Sequence, residues 1–321
     1  MTLLLDLPVE LLENIADQLY LDDEFPFFDQ SAIPTLAALN RTCKLLRELT
    51  TRLLYRCPTH RDTWSLTRTL ITCPDLAGLV TILNLEEGYV GPYDVPLEVG
   101  DHYEKAIKEG DAAAKALEGE DVLLADPEPL DRNSYVPNDV ISGPCSNLEY
   151  LSCNDVISDT PYFWAPDSMK KLRAIRFAHW DTEYGFDLAA VEPLLRAAPN
   201  LEEIEFHSCT SARELDFQLH HAKTLELENS CIDADELLAL LKMCPNLERF
   251  TYESGGPCVS YEDDFGVREA KELVLAHAPK LKTLVLDMQQ TVVAISSDDV
   301  KDASDELSQR GIYFQVFLPV P

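Results

Sequence analysis

At 321 residues the chain is long enough to bury a sizeable core, and its length suits one large domain with a smaller one. Its 57 acidic residues against 26 basic ones leave a formal net charge of -31. That balance excludes most nucleic-acid and anionic-membrane surfaces, which need clustered Lys and Arg, and makes a basic partner the expectation. No apolar run reaches the ~18 residues of a spanning helix, so no membrane association is expected.

The opening MTLLLDLPVELLE has no basic segment ahead of its leucines, and Asp6 and Glu10 interrupt it, so no signal peptide is expected. Nine cysteines form no Cys-x-x-Cys pair and are odd in number. This argues against a disulfide scaffold or a zinc ribbon and for a reducing compartment, cytoplasmic and/or nuclear.

In chain order, Pro8, Leu11, Leu12, Ile15, Ala16 and Leu19 fall at three- and four-residue steps and predict an amphipathic helix. Pro8 suits a first helical position, and Glu10 meets the positive end of the helix dipole. The same period runs through Leu36, Leu39, Cys43, Leu46, Leu49, Leu53 and Leu54, predicting two short helices broken near Thr42–Lys44. Residues 57–72 read as a connector with one short helical stretch. Arg41, Lys44, Arg47, Arg52, Arg56, Arg61 and Arg68 make this end locally basic, a face for solvent or for an acidic partner.

Cys73, Pro74, Asp75 and Leu76, leading to Ile82 and Leu85, open a repeat. Residues 86–143 interrupt it with Gly91, Pro92, Pro127 and Pro129 among many acids, an acidic, loop-rich insertion. The repeat then resumes as an Asn-Leu or Lys-Leu turn followed by alternating apolar residues. It appears at Asn147-Leu148, Lys171-Leu172, Asn200-Leu201, Thr224-Leu225 in partial form, Asn246-Leu247 and Lys280-Leu281. Strand starts at 151, 175, 204, 225, 250 and 284 straddle the roughly 20–29 residue spacing of a leucine-rich repeat, the last step being stretched by the Gly255-Gly256-Pro257 loop. Val191–Ala198, Asp233–Cys244 and Val267–Ala278 predict return helices, with Asp233 or Asp235 as the cap of the middle one. The alternating stretch from Gly311 to Leu318 predicts a closing strand.

The fold expected is therefore α/β: a small three-helix unit at 1–56, the connector at 57–72, and a repeat solenoid at 73–321 with a curved parallel sheet and outer helices. Residues alternating with the apolar ones should face outward on the sheet. They gather Glu203, Glu205, Glu226, Glu228 and Glu253, with Arg249 nearby, as a candidate surface for a Lys- or Arg-rich segment of a target protein. Nucleophile-elbow, phosphate-loop and zinc-protease motifs are absent; no active site, metal or cofactor is expected. His207, Cys209, His220 and His221 lie close in sequence without metal-ligand spacing.

The order Leu7-Pro8, Glu10-Leu11, Ile15, then Leu39-Asn40-Arg41-Thr42 and Leu54-Tyr55-Arg56 resembles the F-box of fungal F-box proteins with leucine-rich repeats. The loop Tyr20–Ala32, with Phe25, Pro26, Phe27 and Phe28, is longer and more aromatic than that family carries there. The resemblance implies a substrate-recognition subunit of a cullin–RING (SCF-type) ubiquitin ligase. Its F-box would dock on a Skp-type adaptor, and through it on cullin, while the repeats hold the target. Carried onto this chain, the implied adaptor contacts are Leu7, Pro8, Leu11, Ile15, Leu39 and Cys43, with the outward face of the first helix left open. Two alternatives remain: a non-catalytic scaffold that binds the adaptor outside ubiquitylation, and an interaction module whose first helices only cap the solenoid.

Overall fold

The computed structural model describes residues 7–20, 32–58, 63–85, 145–154, 167–178, 185–213, 215–255, 265–291 and 295–319. The aromatic loop at Phe25–Phe28 and the insertion 86–143 lie outside the described residues.

The N-terminal pattern forms helices α1 (Val9–Tyr20), α2 (Ala32–Asn40) and α3 (Lys44–Arg56), with the break at residues 41–43. Leu12, Ala16, Leu36, Leu46 and Leu53 turn inward, and Ala16, Leu36 and Leu53 form a cluster separate from the main core. Asn40 ties the α2–α3 corner: its side-chain amide donates to Arg47 O (3.3 Å), Thr50 Oγ (3.2 Å) and Thr51 Oγ (3.0 Å). The connector carries helix α4 (Thr63–Thr72), and the short α5 (Pro74–Ala77) starts on Pro74.

Strands β1 (Ile82–Leu85), β2 (Tyr150–Asn154), β3 (Ala174–Ala178), β5 (Glu203–His207), β7 (Thr224–Ser230), β8 (Arg249–Ser254), β9 (Thr283–Asp287) and β10 (Tyr313–Phe317) form one eight-stranded parallel sheet in that order. Each new strand adds beside the previous one. The short β4 (Phe186–Asp187) and β6 (Cys209–Ser211) pair in a second, two-stranded sheet. Returns between strands include α6 (Glu192–Ala197), α7 (Ala234–Met243), α8 (Val267–His277) and α9 (Ser297–Gln309). Asp233 is the cap of α7: its carboxylate accepts from Glu236 N (2.8 Å), and Glu236 accepts in turn from Asp233 N (2.9 Å).

The turn motif recurs because one hydrogen bond recurs. The Asn147, Asn200 and Asn246 side chains donate to the carbonyls of Gly78, Lys170 and His220, each in the turn of the preceding unit. The following leucines, Leu148, Leu201 and Leu247, are buried and begin the core. Strand alternation then stacks Leu151, Ile175, Ile204, Leu225, Phe250 and Leu284 in one buried row, and Cys153, Phe177, Phe206, Leu227, Tyr252 and Leu286 in the next. Each leucine so buried contributes about 1.5–3 kcal/mol. No unit closes this core alone, so each strand is stabilised by its neighbours.

The residue before each strand makes a second ladder. Glu149, Arg173, Glu202, Lys223, Glu248 and Lys282 alternate in sign from unit to unit. Arg173 and Lys223 both reach Glu202 (3.4 and 2.7 Å), and Lys282 reaches Glu248 (2.6 Å). The Lys223 hydrogen bond holds the Glu202 carboxyl below the usual range, and Lys282 does the same for Glu248.

Candidate functional site

On the sheet face opposite the core, the register sets Arg176, Glu205, Glu226, Thr251 and Val285 side by side. The next outward row holds His207, Glu228, Glu253 and Asp287. Glu203, Thr224 and Arg249 lie in the row below. All six residues expected on this surface, Glu203, Glu205, Glu226, Glu228, Glu253 and Arg249, are therefore on one face. The central carboxylates sit on strands about 4.8 Å apart. Ser152 and Ala178, which also alternate outward, are buried at 1% exposure each, so the open face starts further along the sheet than period alone suggests.

A bulge shapes the middle of this face. Between the pairs Leu227–Tyr252 and Ser230–Ser254, two residues of β7, Glu228 and Asn229, oppose the single Glu253, and Asn229 takes a left-handed φ of 47°. Asn tolerates that conformation better than most residues.

The face is electrostatically unbalanced. The Arg176 guanidinium meets Glu205 at 2.8 Å and Glu228 at 3.8 Å, spanning two strands. Glu226 directly opposes Glu205, and Glu253 directly opposes Asp287. Partial burial raises the Glu226 pKa, and Glu228 and Glu203 raise it further; Arg249 and Arg176 pull the other way. Glu253 is raised by burial, then by Glu228 and Asp287. Like charges at that spacing cost stability unless a cation joins them. The carboxylates run along successive strands, an arrangement suited to an extended cationic chain. Among the described residues, no group of three or more His, Cys, Asp or Glu converges to hold a metal ion.

At the other end, Pro8, Leu11 and Ile15 share the outward face of α1, with Leu11 48% and Ile15 44% exposed. Leu7 is half-buried just before the helix. Leu39 and Cys43 are half-buried at the α2–α3 corner, on a different element from the α1 stripe. Val9, 44% exposed, joins the exposed apolar residues of α1, an addition that helical period had not singled out. The helical unit meets the sheet at β1, where Thr81 N donates to Arg56 O (3.0 Å). A cleft of about 530 Å³ lies at this junction, lined by Asp17, Arg52, Leu53, Arg56, Gly78, Leu79, Thr81 and Glu149. Its two arginines are balanced by two acids, and Arg52 pairs with Asp17 at 3.5 Å.

The buried thiols are chemically quiet. Burial pushes Cys145, Cys209 and Cys244 up to about 12, so each stays a neutral thiol. The His207 ring meets the neighbouring Ser208 hydroxyl at 3.0 Å. No helix among the described residues is long and apolar enough to cross a membrane. The sequence matches no family model and no curated protein.

Proposed function

We propose that the chain is a leucine-rich-repeat F-box protein, the substrate-recognition subunit of an SCF-type cullin–RING ubiquitin ligase. The helical unit docks on a Skp-type adaptor, and through it on cullin. The repeat sheet holds a target protein through a basic segment. The protein itself is non-catalytic: tethering raises the target's effective concentration near the ubiquitin-charged subunit, which performs the transfer.

The observation that carries this reading is the division of α1. Leu12 and Ala16 are buried, Ala16 in a cluster with Leu36 and Leu53 that is the unit's own, whereas Pro8, Leu11 and Ile15 leave a second apolar face to solvent. A helix that only capped the sheet would have one such face, not two. The acidic sheet face supplies a separate surface for the target, and the two surfaces lie on different elements.

Because Leu11 and Ile15 are exposed, Leu11→Asp with Ile15→Asp should leave the fold intact. Affinity purification with mass spectrometry, wild type against this pair, is the test. Adaptor and cullin should be recovered with the wild type and lost with the variant at unchanged melting temperature. Recovery of neither with the wild type would overturn the proposal.

One observation favours a second reading. The backbone bond from Thr81 to Arg56 seats the helices at the first edge of the sheet, where a terminal cap would sit. On that reading the protein is an interaction scaffold. Recovery of a target protein with the wild type, without adaptor or cullin and unaffected by the Leu11/Ile15 pair of changes, would favour it.

A further inference from the structure

Large apolar side chains are exposed in two places among the described residues: on α1, and at Tyr313 (59%), Phe317 (41%) and Leu318 (39%) on or beside β10. The second place is the end of the sheet, where β10 pairs with β9 and, among the described strands, with no other. Tyr313 N donates to Lys282 O and Phe317 O accepts from Met288 N, both at 2.8 Å. Backbone bonding alternates along a parallel strand, so the intervening Phe314 and Val316 turn their N–H and C=O groups to the open side. No described strand pairs with them there.

Open edges are ordinarily blunted by a charge, a proline or a bulge. From Tyr313 to Leu318 the sequence YFQVFL has no charge and no proline, and the register with β9 runs unbroken. The surroundings, by contrast, are acidic. Asp287 is the direct neighbour of Phe317, and Glu253 lies beside Asp287. On the other face, α9 packs against β10 and carries Asp298, Asp299 and Asp305.

The geometry points to β10 as a docking edge for an extended segment of a partner protein in which Lys or Arg alternates with apolar residues, added to the sheet as a further strand. Residues on the Phe317 side of that strand are the cations, within reach of Asp287 and over the Tyr313 and Phe317 rings. Residues on the other side are apolar and extend the layer begun by Phe314 and Val316, which pack against the core. A second copy of the chain is the poorer occupant, because two acid-flanked edges of a protein with net charge -31 repel. The site borders the Glu253–Asp287 end of the acidic face, uses none of Glu203, Glu205, Glu226 and Glu228, and stands apart from the proposed ligase role.

The test is binding of a fluorescent short peptide of alternating valine and lysine to the full chain, with backbone amide exchange followed by residue. The peptide should slow exchange at Phe314 and Val316 and should bind at least about tenfold more tightly than its valine–glutamate counterpart or a version with a central proline. Phe317→Lys, a change on the exposed face, should weaken binding by a similar factor at unchanged melting temperature. Glu226→Gln with Glu228→Gln should leave the protection of Phe314 and Val316 as it was. Unchanged exchange at Phe314 and Val316 under saturating peptide would overturn the assignment, as would equal binding of the acidic peptide. Self-association in sedimentation that Phe317→Lys abolishes would also overturn it, giving the edge to a second copy.

Discussion

At the residue before each strand, charge alternates: Arg173, Glu202, Lys223, Glu248 and Lys282 neutralise one another across the units. Farther along, within the strands and on the open face of the sheet, Glu205 stands beside Glu226 and Glu253 beside Asp287. The pKa shifts have opposite signs, down for Glu202 and Glu248 and up for Glu226 and Glu253. A chain that is simply acidic would crowd carboxylates in both places. This one resolves the crowding where only the fold is served and keeps it on an open face, which is why we read that face as a surface awaiting a cation.

Inverting the charge of the open face should have the largest effect. Changing Glu203, Glu205, Glu226 and Glu228 to Lys should abolish capture of basic targets while the α1 stripe still recovers its partners. An unchanged set of interacting proteins, read by mass spectrometry, would remove the face from the account. A smaller effect is expected in the alternating ladder. Lys223→Glu would place three acids in succession, from position 202 to 248, so the melting temperature should fall at low salt and recover as salt is added, with target binding retained.

The smallest effect tests the sign of the shifts. Because the Glu226 pKa is raised on folding, its ionised form is penalised above that raised value. The penalty disappears as pH falls below the ordinary glutamate range. Glu226→Gln should therefore stabilise the free protein at neutral pH by less than about 1 kcal/mol, given solvent screening, with no gain in acid. Glu202 and Glu248 behave oppositely: their depressed pKa values add stability above the ordinary glutamate value, and it is lost as pH falls through the depressed range. Chemical denaturation of Glu226→Gln and of Lys223→Gln across pH 3–8 separates the two.

Much of the strand order was legible because the turns are chemically explicit. An Asn side chain bonding the preceding turn, followed by a buried Leu, fixes where each strand begins, and alternation then assigns Glu203, Glu205, Glu226 and Glu228 to one face. The outward side of α1 was not legible, since Leu11 and Ile15 are as apolar as Leu12 and Ala16. Only the folded packing decides between them: it buries Leu12 and Ala16, the latter in a cluster with Leu36 and Leu53. The bulge at Asn229 was hidden for a related reason: one left-handed residue leaves no periodic trace. Helix α9 went unread because SDDVKDASDELSQ offers few apolar residues; it is held by Ala303 and Leu307, and by Asp302 and Glu306 gripping the buried Lys271 at 2.6 and 3.1 Å.

The claim that the face binds by its local crowding and not by bulk charge is tested most directly by neutralising equal charge in two places. One variant carries Glu226→Gln, Glu228→Gln and Glu253→Gln; the other carries Glu10→Gln, Glu48→Gln and Asp75→Asn, far from the sheet centre. Titrated with one lysine- and arginine-rich peptide at physiological salt, the first should lose at least about tenfold in affinity and the second less than about twofold. Equal losses in the two variants would contradict the account.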